Sequence, residues 1–135
     1  MDNLPKSLLI VDDEDMIRAT LEAYFQSLGC TVYGAASGEE ALEILADHSP
    51  EAAIVDMRLP GLSGQDTLLA VHARRPDMGL LIYTGSLEYH PSEELLAKGL
   101  TSSQVFIKPV EDMRVLADAL AGLMAAKTAK QGESR

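Results

Sequence analysis

The chain has 135 residues, 47% of them apolar, and its 21 acidic side chains against 11 basic ones give a formal net charge of −10. That size and apolar content fit one compact domain with its own core. The acidic balance argues against direct binding to nucleic acid or to an anionic membrane, since both demand a basic footprint, and a single cysteine, Cys30, excludes an intrachain disulfide or a cysteine metal cluster.

The opening stretch, MDNLPKSLLIVDDEDM, holds an apolar run of five residues before acids interrupt it. That is too short for a signal peptide or a membrane span, so the expected location is the cytoplasm. The run itself, residues 7–11 (SLLIV), is the first predicted strand. Ile17, Leu21, Tyr24, Phe25 and Leu28 then recur at helical spacing. Residues 31–35 (TVYGA) give a second strand, with Cys30 as a small buried side chain beside it. SGEEALEILADH starts a helix with Ser37 and Glu40 in capping-box register. Residues 52–56 (AAIVD) form a third strand that ends on Asp56 and breaks into RLPGLSG, a flexible wall beside it. A helix starts near Ser63, with Asp66 three residues on, and carries Leu68, Leu69, Val71 and His72. Residues 79–84 (GLLIYT) form the fourth strand; Pro91 and Ser92 then open a short helix. Residues 104–108 (QVFIK) form the fifth strand, and a last helix runs from near Glu111 with Val115, Leu116, Ala119, Leu120 and Leu123 inward. Past Ala126 the apolar period is lost, so 1–126 reads as the domain and 127–135 as a flexible tail or linker stump.

The strand candidates are continuous apolar runs rather than alternations, the mark of strands buried on both faces in a parallel sheet. A β-α order repeated five times, with right-handed crossovers, predicts a doubly wound α/β sheet with helices on both faces. Ligands of such sheets bind beyond the carboxyl ends of the strands. Asp12 and Asp13, Asp56, Thr84, and Lys108 with Pro109 stand at those ends.

Each of these groups has a bland reading alone. An acidic pair before a helix serves the macrodipole, a strand-ending threonine packs, and a Lys-Pro pair is a solvated lysine and a turn. Their convergence on one predicted edge is what carries weight. Clustered carboxylates raise one another's pKa unless a cation sits among them, and Mg²⁺ prefers such oxygen donors and bridges to phosphate. A carboxylate in that setting is a competent nucleophile toward phosphorus, while a lysine and a threonine hydroxyl can each meet an equatorial phosphoryl oxygen.

The motifs LLIVDDED, AAIVDMRLPGLSG, LLIYTGS and VFIKPV, in that order, resemble the receiver domain of two-component response regulators over residues 6–126. The resemblance implies a flavodoxin-like five-stranded sheet of order 2-1-3-4-5, and phosphorylation of Asp56 by a sensor histidine kinase or a histidine phosphotransfer protein. It further implies that Asp13 ligates Mg²⁺ (or Mn²⁺) directly and Asp12 through water, that Asp56 and the backbone carbonyl of Arg58 complete the protein ligands, and that Thr84 is the switch residue and Lys108 the phosphate-pairing lysine. A downstream protein partner or an output domain would read the signal. Beyond its own phosphorylation and slow autodephosphorylation, no enzymatic activity is implied.

Two departures stand out. Receivers usually carry an aromatic residue three positions before the strand-five lysine; here it is Val105, and Phe106 should point to the opposite face. The segment from Thr84 to Lys108 is slightly longer than in many receivers, on the face the family uses for homodimerisation and partner contact. His48 and His72 fall near predicted helix C-termini and His90 precedes a proline; no metal site is read in them. An alternative reading, a phosphotransferase or phosphohydrolase acting on a small substrate, would want a second aspartate two residues past the nucleophile, where Arg58 stands. The other alternative is a degenerate receiver acting as a phosphorylation-independent binding module. The full set of Asp12, Asp13, Asp56, Thr84 and Lys108 argues against it.

Overall fold

The computed structural model describes the backbone of residues 3–133 and the side chains of residues 3–128. Strands β1 (Ser7–Val11), β2 (Thr31–Ala35), β3 (Ala52–Val55), β4 (Gly79–Thr84) and β5 (Val105–Ile107) alternate with helices α1 (Asp15–Ser27), α2 (Gly38–Asp47), α3 (Gly64–Arg74), α4 (Glu93–Ala97) and α5 (Arg114–Glu133). The strands form one parallel sheet in the order β2-β1-β3-β4-β5, the doubly wound topology expected. Ile10 of β1 lies between Gly34 of β2 and Ile54 of β3, and Ile54 in turn faces Leu81 of β4.

Successive strand side chains point to opposite faces, so each strand feeds two cores. Leu9, Val11, Ala53, Val55, Leu80 and Ile82 pack on one face against Ala41 and Leu45 of α2, Leu68 and Val71 of α3 and Leu95 of α4. Leu8, Ile10, Ala52, Ile54, Leu81 and Tyr83 pack on the other against Leu21 and Phe25 of α1 and Leu116, Ala117 and Leu120 of α5. The central strands are buried on both faces, while the edge strands β2 and β5 are only half covered. Val105 joins the α2–α4 side and Phe106 the α1–α5 side, as strand alternation requires.

Helix starts follow the capping residues. Ser37, Ser63 and Ser92 each accept an N–H three residues on, from Glu40, Asp66 and Leu95 at 3.1, 3.1 and 3.2 Å. Glu40 closes its half of the box one residue early, accepting the Ala36 N–H at 3.3 Å. α4 is short, a five-residue helix, in keeping with its sequence.

The last helix departs from expectation. It starts at Arg114, because Asp112 folds back to accept the Arg114 N–H at 2.9 Å and holds the chain in a turn until then. Its buried line is Leu116, Ala117, Leu120 and Met124, and Val115, expected inward, is 43% exposed. The helix also continues to Glu133, through most of the segment read as a tail. No helix of the described residues is long and apolar enough to cross a membrane.

Candidate functional site

The carboxyl edge of the sheet gathers the expected groups because each is the last residue of its strand or the first beyond it. Asp12 follows β1, Asp56 follows β3, Thr84 ends β4 and Lys108 follows β5. Asp12, Asp56 and Thr84 are 2%, 3% and 0% exposed, whereas Asp13 and Glu14 lie open to solvent. Backbone bonds continue the strand ladder into the site: the Asp12 N–H donates to Ala35 O at 3.0 Å, Asp56 N–H to Val11 O at 2.9 Å, and Lys108 N–H to Thr84 O at 2.9 Å. These bonds fix where each side chain begins.

Lys108 Nζ is the centre of the cluster. It lies 2.7 Å from Asp12 Oδ2, 2.9 Å from Asp56 Oδ2 and 3.3 Å from Glu14 Oε1, with its side chain only 7% exposed. It also lies 5.7 Å from the centre of the Tyr83 ring. The Tyr83 hydroxyl accepts the Val110 N–H at 3.1 Å, pinning the turn that follows the cis Lys108–Pro109 peptide. The second oxygens of the buried acids accept backbone N–H groups: Asp12 Oδ1 from Glu14 at 2.9 Å and Asp56 Oδ1 from Arg58 at 3.3 Å. Burial pushes the Asp12 carboxyl above its ordinary pKa, and the pull of Lys108 and the Glu14 N–H does not cancel it. For Lys108, burial alone would lower the pKa; hydrogen bonds to Asp12 and Asp56, with their charges, outweigh it and hold the ammonium above its usual range.

Oxygen atoms of Asp12, Asp13, Glu14 and Asp56 all come within 4.8 Å of one another. Four carboxylates against one lysine leave the site in excess negative charge, and a donor set made only of oxygen suits a hard divalent cation such as Mg²⁺. Arg58, the expected source of a carbonyl ligand, follows Asp56 by two residues and keeps its side chain in solvent.

Several groups were not singled out in the sequence. Glu14 reaches Lys108 across 94 positions of chain. Glu39 of α2 accepts the Leu62 N–H at 3.2 Å and so anchors one point of the wall of residues 58–64. Gly61, within that wall, takes φ +68°, a conformation that side-chain-bearing residues rarely adopt. Gly64, the first residue of α3, touches the Asp56 carbonyl and the Met57 backbone so closely that a Cβ would collide with both. Thr84 accepts the Ser86 N–H through Oγ1 at 3.4 Å, which leaves its hydroxyl proton to donate elsewhere.

Fold and site together define an open α/β domain whose carboxyl edge carries two buried aspartates within an acidic cluster and a lysine whose side chain is buried among them. The chain belongs to the response regulator receiver domain family, whose model matches residues 8–121. It is 32% identical over 111 residues to the Regulator of RpoS of Escherichia coli K12, covering 82% of this chain and 32% of that one. It thus spans about a third of the length of the first curated relatives it matches. It is also 30% identical over 106 residues to sporulation initiation phosphotransferase F of Bacillus subtilis, covering 78% of this chain and 84% of that one. Among solved structures, a CheY-like receiver domain protein of Methanospirillum hungatei aligns with TM-score 0.79 at 26% identity, over 93% of this chain and 98% of its own. A receiver domain protein of Clostridium thermocellum gives 0.77 at 28%, over 91% and 97%.

Proposed function

We propose that Asp56 accepts a phosphoryl group from a sensor histidine kinase or histidine phosphotransfer protein in the cytoplasm, and that the chain signals to a downstream protein by the resulting change in shape. One observation carries this reading: a buried Asp56 carboxylate sits 2.9 Å from a buried lysine, with three further carboxylates beside it. An Asp56 oxygen attacks phosphorus, the bond from phosphorus to the donor atom breaks, and the donor nitrogen leaves with its electron pair. Lys108, freed from one of its carboxylates, meets one phosphoryl oxygen, and Thr84 turns its hydroxyl proton toward another. Asp12, Asp13, Asp56 and the Arg58 carbonyl would hold Mg²⁺, which supplies charge neutralisation for the phosphoryl oxygens.

A protein donor must seat its histidine over this edge. An apolar groove of about 370 Å³, lined by Met16, Ile17, Thr20, Pro109 and Met113 and by Lys108 itself, offers such a donor its footing. Met16 is 84% exposed there. The chemistry is tested by intact mass after incubation with acetyl phosphate and Mg²⁺. A gain of one phosphoryl group is expected, absent in Asp56→Asn and in EDTA. An unlabelled wild-type chain would replace this reading with that of a phosphorylation-independent binding module.

A further inference from the structure

Arg18, on the first turns of α1, makes three contacts that no part of the chemistry above uses. Its Nη1 donates to the main-chain carbonyl of Asp12 at 2.7 Å, its Nη2 to Asp15 Oδ1 at 2.8 Å, and its Nε lies 3.6 Å from Glu22 Oε1. Its side chain is only 20% exposed, against 87% for Asp15. The Glu22 carboxylate lies beside Gly34 in β2, so closely that a Cβ there would strike it, and such a Cβ would also come within 3.5 Å of Arg18 Cδ. A guanidinium offers a rigid planar fork of donors, and this one spans the strand-to-helix turn with a hydrogen bond to Asp15 on one side and an ion pair with Glu22 on the other.

We infer that Arg18 is a positioning residue for the cation site: by gripping the Asp12 carbonyl it fixes the peptide between Asp12 and Asp13 and thereby the aim of both carboxylates. This inference rests on the receiver reading, in which those two residues hold the metal. The Asp12 side chain is already braced by the Glu14 N–H. Asp13 has no such brace of its own among the hydrogen bonds of the described residues, and its side chain is exposed, so its direction depends on the peptide plane that precedes it. Partners one shell removed from a metal typically change its affinity by about 10- to 100-fold when lost.

The test is Mn²⁺ binding by the full chain, followed by the EPR signal of the free ion. Arg18→Ala should weaken binding about 10-fold. Arg18→Lys should fall between, because an ammonium can reach the carbonyl but lacks the fork that Asp15 and Glu22 hold. Gly34→Ala, which touches none of the site's carboxylates, displaces Glu22 and meets Arg18 Cδ only at an ordinary contact distance of 3.5 Å, should weaken binding by a smaller factor. Melting curves without metal report the fold of each variant, and Asp13→Asn reports on the metal site itself. Wild-type affinity in Arg18→Lys and Gly34→Ala, with Asp13→Asn impaired, would overturn the inference and leave the receiver reading standing. A loss that merely tracks the metal-free melting temperature across the variants would overturn it too, by making Arg18 a stability residue. Should the wild type show no Mn²⁺ binding sensitive to Asp13→Asn, the receiver reading falls first and the inference with it.

Discussion

Lys108 holds together groups that would otherwise repel. With Asp12 and Asp56 both nearly sealed from water, removing the ammonium leaves two unpaired buried carboxylates. Lys108→Ala should therefore cost the metal-free protein about 3 kcal/mol in urea unfolding, and millimolar Mg²⁺ should recover a large part of it. Asp12 behaves in the opposite sense. Its folded pKa lies above the ordinary 3.8, so its ionisation is opposed by the fold. Its contribution to stability is full below that value and declines as pH rises through the folded pKa. Metal-free Asp12→Asn should then be more stable than wild type at pH 7, with the gap closing as the pH falls toward 4; a gap that widens in acid would reverse the assignment. Tyr89 gives a third case: its hydroxyl is buried with no hydrogen-bond partner. Tyr89→Phe removes that orphan donor and should stabilise the protein by about 1 kcal/mol, read from the urea midpoint at unchanged slope. Asp12, Asp56, Thr84 and Lys108 were legible from sequence because their place follows from where apolar runs stop. The Glu14 contact and the stranded Tyr89 hydroxyl were not, since both depend on which rotamer a distant element leaves room for.

Among the elements, the segment from Asp56 to Ser63 decides how the aspartate is presented. It leaves β3, turns at Gly61, is held by Glu39 through Leu62, and lands on α3 at Gly64 with backbone against backbone. A methyl group at Gly64 would meet main-chain atoms that cannot swing aside. Gly64→Ala should destabilise the fold by about 2 kcal/mol and slow phosphoryl uptake at Asp56, whereas Gly34→Ala collides only with the flexible end of Glu22, touches Arg18 Cδ at ordinary contact distance, and should fold nearly as well. Equal melting temperatures for the two variants would refute this distinction. Five strands and the capped starts of α2, α3 and α4 could be read from local chemistry: apolar runs of strand length, and serines three residues before an N–H in need of a partner. The face of α5 could be read at Leu116, Ala119, Leu120 and Leu123, which all meet the core, but not at its margin. An alanine-rich helix presents apolar residues all round, so period alone does not say where the buried stripe ends. Val115, beside Leu116 in the first turn after the Asp112 cap, falls outside it.

For the molecule as a whole, an excess of ten acidic charges sets the terms on which the site takes its cation. Self-repulsion of that size weakens the compact state at low ionic strength, and any salt relieves part of it by screening. A general rise in stability on adding Mg²⁺ is thus no proof of a site, and the two effects must be separated at equal ionic strength. A cation bound by the folded chain alone adds RT ln(1 + [L]/Kd), about 2.7 kcal/mol at a hundred times Kd, whereas screening depends on ionic strength and not on which carboxylates are present. Melting temperatures in MgCl₂ should therefore exceed those in NaCl of matched ionic strength, and Asp13→Asn, which alters an exposed group, should bring the two curves together. If wild type melts identically in both salts, the acidic edge is a solvated surface and the phosphoacceptor chemistry loses its metal. If the curves separate and Asp13→Asn closes them, the same carboxylates that repel one another at this edge are the ones whose repulsion the ion relieves.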